Sequence, residues 1–204
     1  EVSILSNAFL DMSKSIYEYQ QSLEEKVEQR TKELNIKNEE LFKLSITDKL
    51  TGLYNRVKLD SVLQENMSLS LRYGNIFSVI IIDIDFFKKI NDNFGHQVGD
   101  DVLKECSYIL SQNIRNVDTL GRWGGEEFLV VCPETLKDGA KDLAIKLNKA
   151  IKLHKFSTYP HSVTISVGVA SCSVNDLNYD DIISNADKAL YEAKNNGRDR
   201  VEVF

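Results

Sequence analysis

Gly74-Asn75-Ile76-Phe77-Ser78-Val79-Ile80-Ile81-Ile82-Asp83-Ile84-Asp85-Phe86-Phe87-Lys88 is the stretch on which the fold turns. Ile76 to Ile84 is β-branched and apolar on both faces, and Gly74-Asn75 bounds it as a turn. A strand apolar on both faces is buried on both, so it belongs at the centre of a sheet with layers against it. A helix from about Arg56 to Arg72 precedes it, and a short helix starts near Phe87. After the loop Asn91 to Gly99 comes a longer helix, about 100–115. Thr119 to Trp123 and Glu127 to Val131 flank Gly124-Gly125, a hairpin signature. Residues 137–155 read as an amphipathic helix, Ser162 to Ala170 as a strand, 179–195 as a helix and Arg200 to Phe204 as a last strand. The order β-α-β-β-α-β with added helices predicts a ferredoxin-like α/β sandwich.

Residues 1–45 differ in kind, with no Gly and no Pro. Phe9, Ile16, Leu23, Val27, Leu34, Leu41 and Leu44 recur at alternating spacings of three and four, and Ser13, Gln20, Arg30 and Lys37 fill the remaining seam positions. This stripe suits a coiled coil better than the face of a globular helix. The expectation is a parallel dimeric coiled coil over 1–45, followed by a globular domain over 46–204. Arg30 and Lys37 weaken the seam locally.

The 204 residues are 42% hydrophobic and 27% charged, enough apolar matter for a real core. The net charge of −6 argues against a nucleic-acid backbone as ligand and leaves room for a small polyanion in a local cationic pocket. Cys106, Cys132 and Cys172 lie far apart with no C-x-x-C pair, which suits reduced thiols in the cytoplasm. The densest apolar run, Val79 to Ile82, stops at Asp83, far short of the ~20 residues of a membrane span. The chain starts at Glu1 rather than Met, so a longer protein is expected, with any membrane attachment in its other segments.

Four constellations carry chemistry. Asp83 and Asp85 end the apolar strand, where a buried carboxylate needs compensation. A divalent cation such as Mg²⁺ provides it, and so does a helix cap. Arg122-Trp123-Gly124-Gly125-Glu126-Glu127-Phe128 sets two acids at a hairpin tip, pointing to opposite faces of a strand. In the expected sheet this tip neighbours the end of the first strand, so Asp83 and Glu126 can share metal ions. Asn91 and Asp100 bracket a polar loop. An Asp facing the N1/N2 edge of guanine selects it over adenine, and an N-cap role for Asp100 is the plainer alternative. Lys194 and Arg198, four apart across a glycine turn, suit a triphosphate tail or a helix C-terminus.

Taken together, these motifs resemble the GGDEF-domain family, the diguanylate cyclases, over about Ile46 to Phe204. The matching stretches are D-x-L-T-G-L-x-N-R at Asp48–Arg56, D-I-D-F-F-K at Asp83–Lys88, N-D-x-x-G-H-x-x-G-D at Asn91–Asp100, G-G-E-E-F at Gly124–Phe128 and A-L-Y-x-A-K-x-x-G-R-D at Ala189–Asp199. The resemblance implies a nucleotide cyclase-like fold. It also implies condensation of two GTP into cyclic di-GMP and two pyrophosphates across a homodimer. By position, Asp83, the Ile84 carbonyl, Glu126 and Glu127 resemble ligands of Mg²⁺ or Mn²⁺. Glu126 resembles the general base for the 3′-hydroxyl, with Glu127 assisting. Asn91, His96 and Asp100 resemble the guanine pocket. Lys88, Lys194, Arg198 and the N–H groups of Phe86 and Phe87 resemble the phosphate holders. Arg115-Asn116-Val117-Asp118 stands where the family carries its R-x-x-D product-inhibition motif. Glu126 replaces the Asp of the family's name, and Asp199 replaces the usual Asn. The rival readings are a non-catalytic sensor of GTP or cyclic di-GMP and an enzyme making adenine-containing cyclic dinucleotides.

Overall fold

The computed structural model describes residues 2–172, 176 and 178–204, and the side chains of all of these except 2–9, 11, 18 and 39. The chain divides into two units, Glu1–Ser45 and Ile46–Phe204. The first is one helix, α1 (Val2–Ile46). Its seam residues Ile16, Leu23, Val27, Leu34, Leu41 and Leu44 are 43–63% exposed in the single chain. Phe9, the first seam position, has its side chain outside the described set. Ion pairs at Lys32–Glu28 and Arg30–Glu33 lace the helix surface. No helix among the described residues is long and apolar enough to cross a membrane.

The second unit runs α2 (Arg56–Tyr73), β1 (Phe77–Ile84), α3 (Phe87–Phe94), α4 (His96–Asn113), β2 (Thr119–Gly124), β3 (Glu127–Pro133), α5 (Lys137–Leu153), β4 (Ile165–Ser171), α6 (Tyr179–Asn195) and β5 (Arg200–Val203). The sheet order is β2-β3-β1-β4-β5, antiparallel except for the β4–β5 pair. Strands β1 to β4 with α3/α4 and α5 form the ferredoxin-like core, while α2, α6 and β5 are the additions.

β1 is buried along its whole length, for the reason its composition suggested. Ile80, Ile82 and Ile84 pack in one cluster with Val102, Leu103 and Leu110 of α4 and Ala144 and Leu147 of α5. Val79 and Ile81 face the other way, against Leu59 and Leu63 of α2 and Ile182 and Ala186 of α6. Each such side chain stabilises the fold by roughly 1.5–3 kcal/mol. α6 comes within backbone contact of β4 at Gly168, where a Cβ would stand 2.1 Å from the Ala186 carbonyl oxygen. Only glycine permits that approach, and it sets the height of the C-terminal end of α6.

Several boundaries depart from the expected ones, and the expected loop Asn91 to Gly99 is helical except at Gly95. β4 begins at Ile165 rather than Ser162, because its partner β1 ends at Ile84, opposite Ile165. α4 begins at His96, not near residue 100, and its N-cap Gly95 makes no side-chain cap bond. Asp100 therefore sits inside the helix and does not cap it. Cys106 and Cys132 are buried, and burial pushes both thiols far above their ordinary pKa, so they behave as small core residues.

Candidate active site

The C-terminal end of β1 and the β2–β3 tip meet because the strands pair in register. Asp83 faces Glu127 and Ile82 faces Phe128. The Ile84 N–H points at the Glu126 carbonyl, at 3.4 Å. Asp83 is buried beside this tip, and the Lys194 ammonium donates to it at 2.8 Å. Burial raises the Asp83 pKa, and the charges of Glu126 and Asp85 add to that, with Lys194 opposing. Burial also raises Glu127, and Asp83 is its strongest like-charged neighbour. Acidic groups thus crowd around one ammonium, with oxygen donors and no His or Cys among them. A hard dication fits such a place. Among the described residues no three His, Cys, Asp or Glu side chains form a ready-made metal cluster.

Asp85 is not part of this group. Its carboxylate accepts from the Ser166 hydroxyl (2.6 Å), the Thr164 hydroxyl (2.7 Å) and the Asp199 N–H (3.1 Å). Neither acid caps α3, whose N-cap is Phe86 with no side-chain cap bond. Of the two acids left open between metal and cap, Asp83 keeps the metal reading and Asp85 has a third role.

Glu126, in the turn that leads into β3, lines a cavity of about 480 Å³. Phe87, Lys88, Asn91, His96 and Asp100 line it with Glu126, so the guanine candidates and the hairpin acid share one space. Gly125 of the hairpin tip also lines it, as do Asp92, Leu103 and Arg122, to which the sequence had given no role. Gly99 makes the pocket possible. A Cβ on Gly99 would stand 1.9 Å from Asn91 Oδ1. Gly99→Ala should raise helix propensity yet force the Asn91 amide aside. The expected result is unchanged or higher thermal stability with KM for GTP raised about tenfold, the cost of one misplaced hydrogen bond. An unaltered KM would detach Asn91 from base recognition.

Lys194 and Arg198 do not line this cavity. Lys194 sits on Asp83, not at a helix-end pairing, and the Arg198 guanidinium lies 4.7 Å from the Phe86 ring centre. They stand on the strand-end side of the Phe86-Phe87-Lys88 turn, whose helix N-terminus leaves N–H groups without intrahelical partners.

Arg122 is the residue that sequence reasoning missed. Its guanidinium donates to the Gly125 carbonyl from Nε (2.8 Å) and Nη2 (2.6 Å), and Nη1 reaches both Asp48 oxygens at 3.3 Å. Its N–H bonds the Tyr54 carbonyl at 2.8 Å. The Asp48–Asn55 turn is thereby tied to the tip that carries Glu126. Burial opposes ionisation of Asp48, but the Thr51 hydroxyl and N–H and the Arg122 charge outweigh it and lower the pKa. Asp48 lies 74 residues from Arg122, so no local signal marks that pair.

Arg115 and Asp118 lie beyond the C-terminal end of α4, roughly 20 Å along that helix from Asp100. Asp118 is buried and its Oδ2 accepts from the Arg115 backbone N–H at 2.9 Å, not from the guanidinium. Among the described residues, Asp118 Oδ1 has no hydrogen-bond partner.

Residues 45–200 match the family model described as "Diguanylate cyclase, GGDEF domain". The chain is 37% identical to Diguanylate cyclase A of Treponema denticola over 203 residues, 97% of this chain and 53% of that one. It is similar to the coiled coil and GGDEF domain of DgcB from Caulobacter crescentus in complex with c-di-GMP (TM-score 0.82, 27% identity, 90% of this chain, all of that one). It is also similar to an active GGEEF domain of a diguanylate cyclase from Vibrio cholerae (TM-score 0.71, 36% identity, 74% of this chain, 96% of that one). The chain spans between 28% and 53% of the length of the first curated relatives it matches.

Proposed function

Since the chain belongs to the GGDEF diguanylate cyclase family, we propose that residues 46–204 condense two GTP into cyclic di-GMP, two copies facing each other with one GTP apiece. The observation that carries this is the shared cavity. One 480 Å³ space holds Asn91, His96 and Asp100 at one side and Glu126 at the other, next to buried Asp83. The structure of a relative with the same G-G-E-E-F sequence, described as active, supports Glu126 in place of Asp.

Asn91 and Asp100 receive the guanine edge, with His96 beside it. Lys88, the N–H groups of Phe86 and Phe87, Lys194 and Arg198 hold the phosphates. Glu126, assisted by Glu127, takes the proton of the 3′-hydroxyl as that oxygen attacks the α-phosphorus of the facing GTP. The α–β phosphoanhydride breaks and pyrophosphate leaves against Lys194 and Arg198. Asp83, the Ile84 carbonyl, Glu126 and Glu127 are the groups that would hold Mg²⁺ or Mn²⁺, which supplies charge neutralisation at the phosphates and acidifies the hydroxyl. The exposed seam of α1 supports dimerisation through residues 1–45. GTP chemistry places the domain in the cytoplasm, with any membrane attachment through other segments. The orphaned, buried Asp118 Oδ1 supports product binding at Arg115 and Asp118, since guanine N1–H and N2–H₂ are donors.

The test is incubation with GTP and Mg²⁺, with ATP in a parallel tube, read by mass-resolved chromatography. Cyclic di-GMP should appear from GTP alone and plateau as it accumulates. In Arg115→Ala the plateau should yield, with inhibition about tenfold weaker for the loss of one charge-assisted contact. GTP bound without turnover at any protein concentration would instead make the domain a nucleotide sensor.

A further inference from the structure

Two turns in this site are left-handed at residues that are not glycine, and both touch Asp85. Phe86, its neighbour, has φ 57°. After Gly197 (φ 111°), Arg198 and Asp199 have φ 64° and 48°. Such conformations persist only where surrounding bonds over-determine them, and they gather at functional sites. Here the bonds are identifiable. The Arg198 N–H is held by the Ala193 carbonyl at 3.0 Å. The Asp199 carboxylate is held by the Lys152 ammonium and, at 3.5 Å, by the Asn148 amide. The Asp199 N–H ends on Asp85 Oδ2, whose carboxylate is itself fixed by the Thr164 and Ser166 hydroxyls of β4 and the residue before it. With its backbone so placed, Arg198 lays its guanidinium over the Phe86 ring at the phosphate side of the site.

We infer that Asp85 is a positioning residue for triphosphate recognition: from the buried strand end it pins the Gly197–Asp199 turn and so aims Arg198. The inference rests on the GTP reading above and adds a role for the second acid of D-I-D. A metal ligand at this position would need its negative charge. A turn anchor needs only one acceptor oxygen toward Asp199, because the two hydroxyls can rotate. Asp85→Asn therefore separates the two roles, since an amide keeps the acceptor and loses the charge.

The experiment is calorimetric binding of α,β-methylene-GTP, whose α–β bridge cannot be cleaved, and of GMP, to the full chain with and without Mg²⁺. Asp85→Asn should bind the analogue within about twofold of the parent and keep its Mg²⁺ dependence. Asp85→Ala should bind the analogue about tenfold more weakly while GMP binding stays unchanged, as expected when one charged phosphate contact is lost. Arg198→Ala should show the same selective loss, and adding Asp85→Ala to it should weaken the analogue's binding no further. Additive losses, an equal loss for GMP, or unchanged binding of the analogue in Asp85→Ala would overturn the inference. Loss of Mg²⁺ dependence in Asp85→Asn would return Asp85 to the metal. Should Asp85→Ala fail to fold, Asp199→Gly keeps the N–H but frees the turn, and undiminished binding of the analogue there overturns the inference equally. A parent chain that binds no α,β-methylene-GTP would refute the GTP reading itself, a separate outcome.

Discussion

Glu126→Gln should cut cyclic di-GMP formation by at least ~10³-fold, the scale of removing a general base together with the charge that organises the phosphates. The amide has the same size, so the cavity wall stays in place. The backbone contact at this position, from the Ile84 N–H to the Glu126 carbonyl, does not involve the side chain. The thermal midpoint should therefore stay within roughly 2 °C of the parent, as for a half-exposed substitution that opens no cavity. GTP binding through Asn91 and Asp100 should survive, because those groups reach the cavity from α3 and α4. The direction of any residual activity is informative. Glu126→Asp keeps a carboxylate one methylene shorter and should recover at least about a tenth of the parent rate. A Gln variant with comparable turnover would mean that the proton leaves by another route.

Strand β1 was legible because a run with no polar alternation has one physical explanation, burial on both faces, and the two core clusters divide its residues accordingly. The roles of its two terminal acids were not legible. Alternation puts positions 83 and 85 on one face, but the strand ends at Ile84 and the chain turns through a left-handed Phe86. Asp85 then meets hydroxyls from 79 and 81 residues away. Local pattern holds no trace of such distant partners. Arg122 was opaque for the same reason, since its acceptors, Asp48 and the Gly125 carbonyl, converge only once the edge of β2 is covered by the Asp48–Asn55 turn. The Gly124-Gly125-Glu126-Glu127 tip was legible in position because hairpin register follows from the flanking strands. Which glutamate meets Asp83 in register and which lines the cavity needed the pairing itself. Spacing left Lys194 between a triphosphate tail and a helix C-terminus, the family resemblance implied a phosphate holder, and its contact in the folded chain is the Asp83 carboxylate. An ammonium there offsets a crowded set of acids, and a dication and a triphosphate would compete for both partners.

Leu34→Lys with Leu41→Lys should separate the dimer and, at ~1 μM protein, lower turnover by ~10²–10³-fold. The proposed reaction joins two GTP held on two domains, so its rate would depend on how often two sites face each other. Tethering by a coiled coil sets an effective concentration on the order of millimolar, against micromolar for free monomers. The seam is open to this attack. Leu34 and Leu41 are 61% and 63% exposed in the single chain, so their burial depends on a partner helix. Arg30 and Lys37 already occupy seam positions. The double substitution therefore leaves seam positions 30, 34, 37 and 41 all cationic, doubled across a parallel pair, with no apolar seam residue between Val27 and Leu44. Lysine is a good helix former, so the change acts on pairing rather than on intrinsic helix propensity. Sedimentation should show a monomer. Specific activity should rise in proportion to protein concentration, because encounter is then bimolecular, whereas the parent's stays flat. Full activity at low concentration in a demonstrated monomer would remove the facing-domain mechanism. A dimer that persists but is inactive would shift control from association to the register of the helix pair.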